Sequence, residues 1–158
     1  MCHTCCGLRL AEQISSNQEG PATFVYRFRG PGVDGNYYAP HASEVPFVLN
    51  QGTSLSEEDQ FRIPWNQNLS DSMVSAWVNM ARDGTPNIEN RIEGVNVEWD
   101  RFDAKEGKVL MLQNGDGGIR NVVDFKKNYR NNVCDYWYDE IGKDVIKTIC
   151  HDFTGLGP

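Results

Sequence analysis

The chain has 158 residues, 39% of them hydrophobic and 23% charged, the make-up of a soluble globular protein with a fair-sized core. Fifteen basic residues against twenty-two acidic ones give a net charge of −7, which argues against nucleic acid or an anionic membrane as partner. No apolar run approaches the roughly 18 residues of a membrane span. Met1 is followed by Cys2, His3, Thr4, Cys5 and Cys6 rather than by a basic and then an apolar segment, so no signal peptide is read in this chain.

From the N-terminus, Leu8, Leu10, Ala11 and Ile14 recur at helix-compatible spacing, which predicts a helix over Cys6–Ser16, stopped by the polar and Gly-Pro stretch Asn17–Pro21. Phe24, Tyr26 and Phe28 then alternate with Thr23, Val25, Arg27 and Arg29. This period of two, rich in aromatic and β-branched residues, predicts a strand over Thr23–Arg29. Gly30, Pro31, Gly32 and Gly35 break it into a loop. His41 stands at the end of that loop, with Glu44 three residues later and the apolar run Val45–Leu49 behind it. Imidazole is the one side chain whose ordinary pKa lies near neutrality, so a histidine fixed on a loop beside a carboxylate can take and return a proton. Taken alone, a surface histidine is the simpler reading.

Asn50–Asp71 is polar and irregular, with a helical turn expected over Ser56–Phe61, where Ser56 can cap an acidic first turn. Asn68-Leu69-Ser70 is an N-glycosylation sequon, meaningful in a secreted protein. The clearest helix is Leu69–Arg82, capped by Ser70 or Asp71 and ended by Gly84 and Pro86. Met73, Val74, Trp77, Val78, Met80 and Ala81 form its expected apolar face, which is core and carries no chemistry. Lys108–Gln113 is a short strand, Asn114–Gly118 a turn and Ile119–Phe125 the return strand. The glycines of that turn lack the Lys-Ser/Thr that completes a phosphate loop. Val133–Ile149 predicts a final helix through Trp137, Ile141, Val145 and Ile149.

Cys2 and Cys5 have metal-knuckle spacing, and Cys150 with His151 could complete a zinc site. Adjacent Cys-His chelates one ion poorly and the pairs sit at opposite ends of the chain, so incidental thiols are the better reading and no metal or cofactor is expected.

The order of motifs resembles the C-terminal part of the type-B carboxylesterases, the cholinesterase-like branch of the α/β-hydrolases. The strand VYRFRG, the segment HASEVPF, the helix MVSAWVNMARDGTPN and the later Trp99 match that family's Y-x-F strand, its H-x-x-E segment and its W-x-N-F-A-x-x-G-x-P-N helix. The resemblance runs from about Cys6 to Trp137. It implies that His41 is the catalytic histidine, that Glu44 orders its loop, and that the substrate of the complete enzyme is a small carboxylic ester. It implies a disulfide between Cys6 and Cys134, worth about 3–5 kcal/mol by loop closure; two buried free thiols are the alternative, and Cys5 could replace Cys6. A secreted or extracellular location would follow. Tyr38 stands where the family usually has glycine, Pro40 precedes His41, and Asp100 replaces a usual proline. The proline narrows the freedom of Ala39, which bears on the aim of His41 and not on its identity.

On this resemblance residues 1–158 are the last third of a carboxylesterase domain, with the N-terminal two thirds missing. The expected fold is α/β, an incomplete α/β-hydrolase sheet whose strand Thr23–Arg29 pairs on one side with a strand upstream of the chain and otherwise shows an open edge. No G-x-S-x-G nucleophile elbow is present; Gly52-Thr53-Ser54-Leu55-Ser56 lacks the second glycine and lies downstream of the histidine. The family's acid lies about 100 residues before its histidine, and here only 40 residues precede His41. Asp34, Ser43 and Glu44 are local substitutes without the needed topology, and the glycine-rich oxyanion segment is absent. Two other classes remain open: a non-catalytic cholinesterase-like interaction or adhesion domain, and a small metal-binding domain using the terminal cysteines.

Overall fold

The computed structural model describes residues 2–16, 20–31, 37–39, 42–52, 65–89, 92–94, 96–114 and 119–122. The expected turn at Ser56–Phe61 and the final helix Val133–Ile149 lie outside them, as does most of the turn after Asn114. The described residues fall into two compact units, one built from the N-terminal helix and the segments 20–25 and 102–108, the other from 26–101 and 109–122.

In the first unit, helix α1 spans Cys2–Ser15, starting four residues before its expected Cys6. Its inner line runs through Ala11, which is buried, with Leu8 and Ile14 half-buried beside it, while Leu10 turns outward, because 3.6-residue spacing cannot put Leu10 and Ala11 on one narrow face. Arg9 and Glu12 pair across one turn at 3.1 Å. In the same unit the Phe102 N–H donates to the Thr23 carbonyl at 2.8 Å. Asp103 Oδ1 accepts from the N–H groups of Lys105 and Glu106 at 2.6 and 3.1 Å, closing a tight turn. The Glu106 and Lys105 N–H groups hold the Asp103 carboxyl below its ordinary pKa.

The second unit holds a four-stranded sheet in the order β2-β1-β3-β4, with β1 Tyr26–Pro31, β2 Tyr37–Tyr38, β3 Val109–Gln113 and β4 Ile119–Val122. β1 and β3 run parallel, with Tyr26 opposite Leu110 and Arg29 opposite Gln113. The Asn114 N–H extends that pairing to the Arg29 carbonyl at 2.8 Å. β4 returns antiparallel to β3, as the turn-rich sequence predicts. All five residues of β3 are buried, the mark of a strand covered on both faces.

One expectation changes here. The loop after β1 contains a strand of its own, β2, which pairs antiparallel with Gly30 and Pro31. This ladder has two residue pairs and lies beyond the expected strand Thr23–Arg29. Tyr37 and Tyr38 sit among Gly, Pro, Asp and Asn, so the turn residues mask their β propensity.

The connection from β1 to β3 carries a one-turn helix, α2 (Val45–Val48), and the long helix α3 (Gln67–Asp83). α3 starts two residues before the expected Leu69 and is capped by Asn66, whose Oδ1 accepts from the Leu69 N–H at 3.1 Å. Ser70 and Asp71 are inside the helix, not at its cap. The stop is as expected: Gly84 adopts φ 71 and returns its N–H to the Met80 carbonyl at 3.1 Å.

The buried face of α3 differs from the apolar stripe. It runs through Leu69, Ser70, Ser72, Met73, Ala76 and Asn79, whereas Val78 is 53% and Met80 37% exposed. Small polar side chains occupy core-facing positions, where Ser70 finds a backbone acceptor and Asn79 accepts from Arg82 at 3.0 Å. After the helix, Asn87 forms a two-point clasp on the Trp99 backbone: its Nδ2 donates to the Trp99 carbonyl at 3.0 Å and its Oδ1 accepts the Trp99 N–H at 2.8 Å. This gives a physical role to the last residue of the GTPN stretch.

Trp65 stacks on Phe47 with ring centroids 4.8 Å apart, and its indole lies so close to Gly52 that a Cβ there would overlap the ring. Gly52→Ala should therefore destabilise the chain by about 1–3 kcal/mol through overpacking, read as a lower denaturant midpoint. Gly7→Ala, where a Cβ meets open space, should show no such loss.

Candidate functional site

The candidate site is the segment that leaves the sheet after β1 and carries His41. His41 lies outside the described residues, and so do Asp34, Pro40 and Cys134. Cys6 is described as backbone of α1 only. Of the sequence-predicted site residues, Glu44 and Asn68 are the two whose side chains can be placed.

The described part of the segment opens at Ala42, whose φ of 63° lies in the left-handed region that a Cβ disfavours. A turn follows, closed by the Val45 N–H donating to the Ala42 carbonyl at 3.1 Å. Glu44 is the N-cap of α2 by backbone: its carbonyl accepts from the N–H groups of Phe47 and Val48 at 3.0 and 3.1 Å, and its carboxylate makes no capping bond. Pro46 in the first turn suits a helix start, since its missing N–H has no helical partner there.

Glu44 is half-buried and its charge bears on Tyr26. Burial first, and the Glu44 charge second, raise the Tyr26 phenol above its ordinary pKa of 10.0, so the phenol stays protonated as a donor across neutral pH. Tyr26 is held by two indoles, edge-on to Trp77 at 5.0 Å and to Trp99 at 5.9 Å, and those two rings lie 5.6 Å apart. One strand position further along the same face, Phe28 meets Phe47 at 5.2 Å. Period-two alternation thus presents Tyr26 and Phe28 together to the elements that follow, with Phe28 against the helix just behind Glu44.

The far end of the segment is fixed to α3. Ser70, fully buried, donates through Oγ to the Phe47 carbonyl at 2.7 Å and lies 3.2 Å from Asn50 Oδ1. Gln67 Nε2 donates to Asn50 Oδ1 at 2.9 Å and to Asp71 Oδ1 at 2.7 Å, while its Oε1 accepts from Trp65 Nε1 at 3.1 Å. The only sequence trace of this cluster is Ser70 as the third residue of the sequon. Asn68 itself is exposed on the first turn of α3, on the outer side of the helix from Ser70.

Among the described residues no group of three or more His, Cys, Asp or Glu side chains could hold a metal ion. No described helix is long and apolar enough to cross a membrane.

Comparison with known proteins places this geometry. The profile described as "Carboxylesterase family" matches residues 1–137, and the chain belongs to that family. It is similar to bile salt-activated lipase of Homo sapiens, 24% identical over 129 residues that cover 79% of this chain and 16% of the relative. The chain thus spans well under a quarter of the length of that curated relative. Among solved structures it is similar to a thermophilic PNB esterase, with a TM-score of 0.55 and 24% identity over 75% of this chain and 23% of that one. It is also similar to a PNB esterase, with a TM-score of 0.51 and 25% identity over 75% of this chain and 22% of the other. The fold is accordingly α/β, a portion of the α/β-hydrolase fold with its covering helices.

Because the phenol pKa of Tyr26 is higher folded than unfolded, folding favours its neutral form. Its contribution is complete below pH 10 and is lost as pH rises through the raised folded value. The stability of the wild-type chain should fall in that alkaline window, and Tyr26→Phe should flatten the fall; denaturant midpoints measured from pH 8 upward check this.

Proposed function

We propose that this member of the carboxylesterase family is the C-terminal part of a serine carboxylic-ester hydrolase, in which His41 is the general base toward a serine supplied by sequence outside residues 1–158. The observation that carries this reading is the family match over residues 1–137, a span that includes the HASEVPF segment, which resembles the family's H-x-x-E motif. This chain covers 16% of the lipase and 23% of the thermophilic esterase, a part of each relative's length.

In this reading the His41 imidazole takes the proton of the serine hydroxyl as its oxygen attacks the acyl carbon. It then returns that proton to the departing alkoxide, leaving an acyl-serine that water cleaves with the same base. Glu44 supports the loop and is not the triad acid, since it lies only three residues beyond the histidine, in a turn of the same loop. The Glu44 charge bears on the neutral Tyr26 phenol, whose ring packs edge-on against Trp77. The substrate class is a small carboxylic ester. The same reading pairs Cys6 with Cys134 and makes Asn68, exposed as it is, a glycan site if the protein enters the secretory pathway.

Transcript sequence upstream of Met1 tests the proposal directly. An in-frame continuation carrying G-x-S-x-G should, when joined to this chain, hydrolyse p-nitrophenyl esters and lose that activity in His41→Ala. A continuation without the serine would instead favour the non-catalytic interaction domain. The chain alone should turn over no activated ester; turnover that vanishes in His41→Ala and is blocked by an organophosphate would place a nucleophile inside it and overturn the proposal.

The disulfide is checked separately. Peptide mapping of the non-reduced protein should recover a peptide pair linked through Cys6 and Cys134, whereas alkylation of both thiols without reduction would remove the bond.

A further inference from the structure

We propose that Asn68 accepts a glycan only before α2 docks against α3, because folding carries Ser70, the hydroxyl of the same sequon, into the core. This inference rests on the reading of Asn68 as a glycan site given above.

Asn68-Leu69-Ser70 is the one N-x-S/T sequence in the chain. Transfer to it forms a bond between Asn68 Nδ2 and the anomeric carbon of a lipid-diphosphate-linked oligosaccharide. The bond from that carbon to the diphosphate breaks, and the lipid diphosphate and one amide proton leave. The transferring enzyme reads the hydroxyl two residues beyond the asparagine while it acts on the amide, so both side chains have to reach one active site.

The folded chain holds those two side chains apart. α3 begins at Gln67, so the whole sequon is helical. Helix residues two apart are turned by about 200° around the axis, whereas in an extended chain residues two apart share one side. Asn68 is accordingly exposed, while Leu69 is 4% and Ser70 0% exposed. The Ser70 hydroxyl donates to the Phe47 carbonyl at 2.7 Å, which ties it to α2. The backbone is committed as well. The Asn66 side chain accepts the Leu69 N–H and the Asn66 carbonyl accepts the Ser70 N–H, each at 3.1 Å. Straightening the sequon therefore breaks the helix cap, uncovers Leu69 and strips a buried carbonyl of its donor in one step. A glycan already in place meets no such obstacle, since Asn68 stays exposed in the folded helix. Sugar first and fold second is open; fold first closes the acceptor.

The test keeps the full chain and builds a comparison site into it. Asn96 and Glu98 are both exposed on the non-helical segment before Trp99, so Glu98→Thr makes Asn96 an acceptor whose two recognised side chains both face solvent. Purified oligosaccharyltransferase and lipid-linked oligosaccharide are supplied to the folded Glu98→Thr chain. They are supplied also to the same chain carrying Phe47→Asp and Leu110→Asp, where charges replace two side chains that are each 1% exposed and so abolish the fold. Near-UV circular dichroism checks the folded state, and mass spectrometry reads the occupancy at each asparagine. The unfolded chain is expected to take sugar at both sites. The folded chain should take it at Asn96, and at Asn68 more slowly by about tenfold or more. Equal occupancy of the two sites on the folded chain would overturn the proposal. Refusal at both would overturn it too, because the block would then belong to folding in general and not to Ser70. No sugar at Asn68 on the unfolded chain would instead remove the reading of Asn68 as an acceptor, on which the inference rests.

Discussion

Two parallel strands cannot be joined by a hairpin, and the pairing of β1 with β3 governs the rest of this structure. The chain leaving Pro31 must cross over a face of the sheet before it can enter again at Val109, and that crossover is where α2, α3 and the Trp99 segment lie. The strand's own alternation decides what the crossover meets. Tyr26 and Phe28 point to one face, so Trp77 and Trp99 gather on the first ring and Phe47 on the second. Arg27 and Arg29 take the opposite face. The carboxylate nearest the candidate histidine in sequence is thereby delivered beside a phenol, through an aromatic floor laid down by a pattern only a few residues long. In open α/β sheets ligand-binding groups collect beyond the carboxyl ends of the strands, and His41 comes from the connection that leaves β1 at that end.

What the sequence made legible is what local chemistry decides. The period-two run marked β1, the apolar stretch before a glycine-rich turn marked β3 and β4, and Gly84 marked the end of α3 because a left-handed cap is cheapest for glycine. The order of motifs also led to the family. The errors over α3 share one cause, polar residues whose role depends on tertiary partners. Ser70 was a plausible cap by composition, yet the Phe47 carbonyl, 23 residues away in sequence, draws it into the core. Ser72 and Asn79 turn inward while Val78 and Met80 turn out, so an apolar stripe misplaces the buried face. Within the candidate site Glu44 was legible, but the Gln67–Asn50–Ser70 anchor was not, because its members are bonded across a loop that no periodicity spans.

That anchor answers a problem set by the shortness of α2. The last four carbonyls of any helix lack intrahelical partners, and α2 has only four residues, so nearly all its carbonyls must be satisfied from outside the helix. Val45 and Pro46 supply their carbonyls to the Leu49 and Gln51 N–H groups at 3.0 and 2.9 Å, and the Phe47 carbonyl takes the Ser70 hydroxyl along with a weaker bond from the Asn50 N–H at 3.3 Å. Phe47 is itself 1% exposed, packed between Phe28 on the strand and Trp65 before α3. Its carbonyl is thus a buried acceptor whose loss of partner would carry a desolvation cost of about 1–3 kcal/mol. The segment behind His41 owes its order to α3 and to the strand, and little to itself.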